Sequence, residues 1–289
     1  MDKITNFTKE VFEEIDRNIS NNKKTKVSTG YKTLDSWIGG LDDKRMIVLG
    51  GESGCGKTTF LLNLAYNIVK QKKNVLLISD VLKPKQVSEK LFSLISLVPN
   101  YKINSGRLDD NDLKDLIEVA TLMDKYNLFV ENISNLIYEE IKEIPNKFNE
   151  IVLRCCDEIK DINVILIDCS QLLGIGMFYK EKLSFDRYSE ETIFEIKKLV
   201  EKLGKPIIIT AMLDRNSVIR GFYDRKYICD GFITRFADVF VILNQSFCDE
   251  EDKLDVEVIK NREGTTGVMK MRFDKKTFRI AELDDFIVE

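Results

Sequence analysis

The segment Gly51-Glu52-Ser53-Gly54-Cys55-Gly56-Lys57-Thr58, followed by Thr59, fits the spacing G-x-x-x-x-G-K-[S/T] of a loop that wraps phosphate oxygens. The chemistry follows from the residue types. Glycines let successive backbone N–H groups turn inward with no Cβ in the way, and a helix opening at the loop adds the positive end of its dipole. Lys57 can reach the β and γ phosphates of a nucleoside triphosphate, and the Thr58 hydroxyl can hold Mg2+. The plainer alternative is a glycine-rich strand–helix turn with no ligand. An apolar strand before the loop and a helix after it are the context that separates the two. A second element is Asp168, which closes the apolar run NVILID (163–168). A carboxylate at that strand end would sit beside the phosphate loop and bind Mg2+, and its weight comes from being paired with Lys57 and Thr58. Cys55, inside the loop, reads either as a thiol activated by a helix N-terminus or as a small filler.

These residues need a scaffold, and the chain alternates apolar runs with amphipathic stretches. MIVLG (46–50), NVLLIS (74–79), LFVEN (128–132), NVILID (163–168), PIIIT (206–210), DVFVIL (238–243) and DVEVIK (255–260) read as strands. Residues 58–71, 83–97, 109–125, 136–160 and 187–203 read as helices. Alternation of this kind predicts an α/β fold with a mainly parallel sheet and helices on both faces. Ahead of it, Ile4, Phe7, Val11, Phe12, Ile15 and Ile19 fall on one stripe of a helix over 3–20, followed by the polar stretch SNNKKTK. That helix either packs on its own domain or is an arm that buries its stripe on a neighbouring subunit. With no composition shift inside 27–289, the expected division is a linker helix and flexible stem at 1–26 and one domain at 27–289.

Composition removes several classes of chemistry. The 289 residues include no histidine, which excludes His-ligated metals and Ser–His or Cys–His pairs. None of the six cysteines forms a C-x-x-C pair, so a zinc ribbon is not expected. Apolar stretches break well short of the roughly 18 residues a membrane span needs, and MDKITNFTKEVFEEIDR has no apolar signal core. The expectation is a cytoplasmic protein with scattered thiols in a reducing compartment and no membrane partner. A net charge of −4 argues against a uniformly basic coat but leaves room for local nucleic-acid contacts.

Beyond the phosphate loop, several ordered segments resemble the C-terminal RecA-like ATPase domain of DnaB-type replicative helicases, over residues 8 to 283. TGYKTLDSWIGGL (29–41) is similar to the lead-in to the first core strand. KINSGRLDDNDL (102–113) is similar to that family's SGRL stretch, LFVENISNLIYEEI (128–141) to the strand and helix ahead of the Mg2+ aspartate, and LIDCSQLL (166–173) to an Asp-x-x-Gln-Leu strand end with Asp168 and Gln171. RYSEETIFEIKKLVEKLGKPIII (187–209) resembles the next helix and strand. KNREGTTG (260–267) resembles the Lys-x-Arg-x-Gly-x-x-Gly turn near the C-terminus, placing Lys260 and Arg262. The resemblance implies a RecA-like P-loop core binding ATP and Mg2+ with Gly51 to Thr59. It implies a homo-oligomeric, hexameric ring acting on single-stranded DNA, with a primase or helicase loader as further partners. In that ring Arg262, accompanied by Lys260, points at a neighbour's γ phosphate, whereas the residues alone read more readily as an exposed basic turn. Residues 8–19 match the place of the family's linker helix, which docks on the adjacent subunit, and the chain would begin at that linker without the usual N-terminal domain.

Three departures from the family pattern bear on activity. Ser79-Asp80-Val81-Leu82 puts valine where the family carries its water-activating glutamate. Asp80 is then the nearest acid for the role and Glu52 a second, although strand alternation points Asp80 to the other side. TAMLDR (210–215) puts Met212 at the family's γ-phosphate-sensing glutamine, with Thr210 or Asp214 as stand-ins. The family's Arg-Glu-Ser-Gly DNA loop has no counterpart in 229–235. Arg215, Arg220, Arg225, Lys226 and Arg235, or Lys180, Lys182 and Arg187 on a second loop, could contact a nucleic-acid backbone instead or simply be solvated. The functional expectation is an ATP-dependent DnaB-like DNA helicase in replication, with Lys57, Asp168, Arg262 and Asp80 as catalytic residues. The alternatives are a weakened helicase paralogue acting as a structural or regulatory partner, and a RecA- or KaiC-type ATPase that does not unwind.

Overall fold

The computed structural model describes residues 8–20, 26–42, 44–138, 143–169, 182–213, 218–219, 222–223, 232–245 and 252–283. Six strands form the parallel part of one sheet: β1 (Met46–Gly51), β2 (Asn74–Ser79), β3 (Leu128–Asn132), β4 (Ile162–Asp168), β5 (Ile207–Met212) and, after the short pair β6 (Val218–Ile219) and β7 (Phe222–Tyr223), β8 (Val239–Asn244). β9 (Lys253–Asn261), β10 (Gly267–Asp274) and β11 (Arg279–Glu282) extend it as an antiparallel meander, giving the order β11-β10-β9-β8-β1-β5-β4-β2-β3. The helices described are α1 (Thr8–Ser20), α2 (Lys32–Ile38), α3 (Lys57–Val69), α4 (Pro84–Ser96), α5 (Asn100–Ser105), α6 (Asp110–Met123), α7 (Ile144–Glu158), α8 (Lys182–Leu203) and α9 (Phe232–Phe236).

The central strands read as unbroken apolar runs because both of their faces are covered. Alternation sorts their side chains. Leu49, Leu77, Val164, Leu166 and Ile208 pack with Phe60, Leu64, Ile68 and Leu91 of α3 and α4. Val48, Ile78, Ile165, Ile167, Ile207 and Ile209 pack with Phe148 and Val152 of α7 and Ile196 and Val200 of α8. Helices on both faces of a mainly parallel sheet are what the alternating pattern predicts.

Several boundaries differ from the expectation. The 136–160 stretch divides into a 3-10 turn at Ser134–Tyr138 and α7, with Pro145 in the first turn of α7. Proline suits that position because its missing N–H would be unsatisfied there anyway. The SGRL stretch is a helix stop followed by a helix start. Gly106 closes α5 in the left-handed region (φ 68°), and Asp109 accepts from the amides of Asn111 and Asp112 to cap α6. Helix α8 begins at Lys182, ahead of the expected 187. α1 leaves Val11, Phe12 and Ile15 exposed, so its stripe has no cover within the described residues of the chain.

The meander is tied back to α3 by Asn63, which is buried. Its amide nitrogen donates to the carbonyls of Thr59 and Phe278, both at 2.8 Å, and its carbonyl oxygen accepts from the Ile280 amide at 3.0 Å. Asn63→Ala strands the Ile280 N–H and the Phe278 carbonyl in the interior. It is expected to lower unfolding free energy by about 1–3 kcal/mol in urea titration; an unchanged midpoint would show that this clamp carries no stability.

Candidate functional site

The loop leaving β1 is shaped by close approach. A Cβ on Gly51 would lie 2.5 Å from Cys55 Sγ and 2.8 Å from the Leu243 carbonyl, so only glycine fits there. Gly54 and Gly56 take φ of 80° and 102°, in the region that favours glycine. Helix α3 starts at the end of this turn, with Phe60 N–H donating to the Gly56 carbonyl, and the N–H groups of a helix's first turn have no partner within the helix. Lys57 is buried, and its Nζ donates to the carbonyls of Gly51 (2.8 Å) and Glu52 (2.6 Å). Burial pulls its pKa down, opposed by the Cys55 thiol and by the Asp168 and Glu52 carboxylates. Burial likewise pushes the Cys55 thiol up, which favours the filler reading of this residue over the activated thiol.

Asp168 stands at the carboxyl end of β4, 2% exposed. Thr210 Oγ1, from β5, donates to its Oδ1 at 3.1 Å, while Oδ2 is buried without a hydrogen-bond partner among the described residues. Burial pushes the carboxyl pKa up, and the Thr58 and Thr210 hydroxyls and the Lys57 ammonium oppose it. A buried carboxylate oxygen left open in this way, on a carboxyl that also feels the Thr58 hydroxyl, is an oxygen donor set suited to a hard divalent cation such as Mg2+.

A cleft of about 350 Å³ opens over the loop, within the range of small-ligand sites. Ser53, Gly54, Gly56, Lys57, Thr58 and Thr59 line one side and Asp168, Val81 and Met212 the other. The third wall is the β10–β11 turn, with Phe273, Lys275 and Phe278. These three residues were not anticipated. The alternating VMKMRFD pattern (268–274), which buries Met269, Met271 and Phe273, was the available signal for their strand.

Val81 reaches the cleft and Asp80 does not. Odd-numbered residues of β2 face α3, and Val81, two residues past the strand end at Ser79 and 44% exposed, keeps that side and reaches the loop. Asp80 is 8% exposed and turns towards the opposite face, where burial pushes the Cys169 thiol pKa up and the Asp80 carboxylate adds to that rise. The expectation that Asp80 supplies the base therefore meets a geometric obstacle. Met212 does occupy the strand-end position beside the loop. Thr210, a suggested stand-in for the missing glutamine, is instead engaged with Asp168.

Lys260 and Arg262 are not brought to this cleft. In the sheet register Gly51 pairs with Leu243, whereas Asn261 pairs with Val239, so the turn after β9 lies at the far end of the sheet. There Arg262 meets Asp238 at 3.2 Å and donates to the Arg235 carbonyl at 2.8 Å, and Lys260 donates to the Thr234 carbonyl at 2.5 Å. The turn is stapled to α2. Asn261 donates to the Trp37 carbonyl at 2.9 Å, and a Cβ on Gly264 would lie 2.2 Å from that oxygen. Gln171, Lys180, Asp214, Arg215, Arg220, Arg225 and Lys226 lie outside the described residues, as do the side chains of Lys182 and Arg187.

Comparison with known proteins agrees with this geometry. The chain is 27% identical over 274 residues to the replicative DNA helicase DnaB of Haemophilus influenzae, covering 90% of this chain and 56% of that one. It is 27% identical over 266 residues to the DnaB of Buchnera aphidicola subsp. Baizongia pistaciae, covering 86% and 54%. The chain thus spans just over half the length of these relatives. The fold matches the ATPase domain of G40P with a TM-score of 0.79 at 18% identity, over 98% of this chain and 99% of that one. It also matches a DnaB-like replicative helicase studied with primase, with a TM-score of 0.80 at 19% identity, over 97% and 68%. A KaiC-like protein from Pyrococcus horikoshii shares the fold with a lower TM-score of 0.58 at 16% identity, over 89% and 98%. The family model for the DnaB-like helicase C-terminal domain matches residues 26–282, and the chain belongs to that family.

Proposed function

We propose that the chain is the ATPase motor of a DnaB-like helicase, binding ATP with Mg2+ and working as a ring of identical copies on single-stranded DNA during replication. The observation that carries this is the phosphate loop facing a buried Asp168 whose Oδ2 has no hydrogen-bond partner among the described residues. Residues 1–26 are then the linker and 27–289 the motor domain. The amides from Gly51 to Thr59 cradle phosphate oxygens, and Lys57 exchanges its loop carbonyls for the β and γ phosphates. Thr58 and Asp168 would hold Mg2+, which supplies positive charge against the phosphate oxygens. A primase, which accompanies the DnaB-like helicase structure above, or a helicase loader is a further proposed partner.

Two features support assembly. Arg262 and Lys260 sit at the end of the sheet opposite their own loop, so as γ-phosphate ligands they can serve only another copy. The exposed Val11, Phe12 and Ile15 of α1 suit an arm that buries its stripe on that copy.

A slowed enzyme, a nucleotide-binding paralogue, is the second reading. It is favoured by a specific observation: Asp168 is the only carboxylate among the described residues lining the cleft, with Val81 at the glutamate's position. A general base is worth about 10²–10⁴-fold.

Three experiments test these readings. Lys57→Ala abolishes ATP binding and turnover while circular dichroism stays native; unchanged affinity and turnover would remove the nucleotide reading. Val81→Glu raises steady-state ATPase by about 10-fold or more, and Asp80→Asn changes it by less than about 3-fold. A drop of about 10²-fold in Asp80→Asn at constant ATP affinity would restore Asp80 as the base. Removing residues 1–20 shifts the sedimentation distribution to smaller species; identical distributions would mean the helix is not an assembly arm.

A further inference from the structure

Thr210 is the one hydroxyl in the strand Ile207–Met212, whose other side chains are apolar, and it is fully buried. A buried hydroxyl needs a partner, and this one donates to Asp168 Oδ1 at 3.1 Å. The register makes the pairing inevitable. Ile167 of β4 lies beside Ile209 of β5, so the next residue of each strand brings Asp168 and Thr210 together on the face that carries Leu166 and Ile208. Valine has the same branched shape and would fill the same space. What threonine adds is the hydrogen bond.

We propose that Thr210 is a positioning residue, holding Asp168 Oδ1 so that Oδ2 stays directed at a divalent cation arriving with the nucleotide. The inference rests on the Mg2+–nucleotide reading of the cleft. The carboxylate torsion is broad and roughly two-fold, so an unpinned Asp168 samples orientations that take Oδ2 away from the Thr58 hydroxyl. With Oδ1 occupied, Oδ2, which has no hydrogen-bond partner among the described residues, is the oxygen left for a cation. Hydrogen bonds that orient metal ligands are commonly worth about 10–100-fold in metal affinity.

The test uses the full chain and a fluorescent ADP analogue, titrated with Mg2+ and, separately, in EDTA. Thr210→Val is expected to bind the analogue in EDTA as wild type does, but to need about 10–100-fold more Mg2+ for half of the Mg2+-induced tightening. Thr210→Ser, which keeps the hydroxyl, restores the Mg2+ midpoint to within about 3-fold of wild type. An unchanged midpoint in Thr210→Val overturns the proposal, as does equal weakening with and without Mg2+, the signature of a packing role. If Thr210→Val does not fold, Thr210→Ala set against Thr210→Ser decides by the same midpoints. Wild-type binding that ignores Mg2+ would instead overturn the cation reading of the site, a different failure from that of Thr210.

Discussion

A parallel sheet buried on both faces accepts polar side chains only where its strands end. That constraint organises this molecule. β1, β2, β4 and β5 carry aliphatic residues along their lengths, and their carboxyl ends together supply the phosphate loop, Val81, Asp168 and the Thr210–Met212 pair. Crevices at this edge of open α/β sheets are where ligands bind, because the loops there are free of packing duties while the strands fix their roots.

The electrostatics at this edge are unfavourable in the protein by itself. Burial disfavours the charged forms of both Lys57 and Asp168. The lysine is compensated by two loop carbonyls, and the carboxylate in part by the Thr58 and Thr210 hydroxyls and the Lys57 ammonium. A ligand with several negative oxygens and a divalent cation answers both deficits together. Such tension between stability and binding is common at functional sites.

The parts of the site legible in the sequence are local. A strand, a glycine turn and a helix follow one another within a few residues of Lys57, and Asp168 closes a strongly apolar run. Period-two alternation also foretold that Asp80 and Val81 face opposite ways. The parts that escaped are contacts across long separations. Phe273, Lys275 and Phe278 meet the loop only because the sheet folds the C-terminal meander beside β8, and nothing near Gly56 announces that a Phe273 ring atom would lie 3.1 Å from an added Cβ. Trp37 explains Gly264 and Gly267, yet lies far from them in sequence. Thr210 suggested phosphate sensing because its neighbour across the β4–β5 pairing was not visible. The break at Pro145 was legible in principle, since proline belongs in a first helical turn, but the apolar periodicity ran through it.

Strand β10 joins two places that matter. Its first residue, Gly267, packs on the Trp37 ring beside the Arg262 turn, and its last, Asp274, enters the turn that walls the chain's own cleft and is fastened to α3 through Asn63. At about 3.3 Å per residue these eight residues form a rod on the order of 26 Å long, hydrogen-bonded along one side to β9. The rod therefore ties the wall of the cleft to the Arg262 turn at the opposite end of the sheet with no loop between them, so the two places keep a fixed separation.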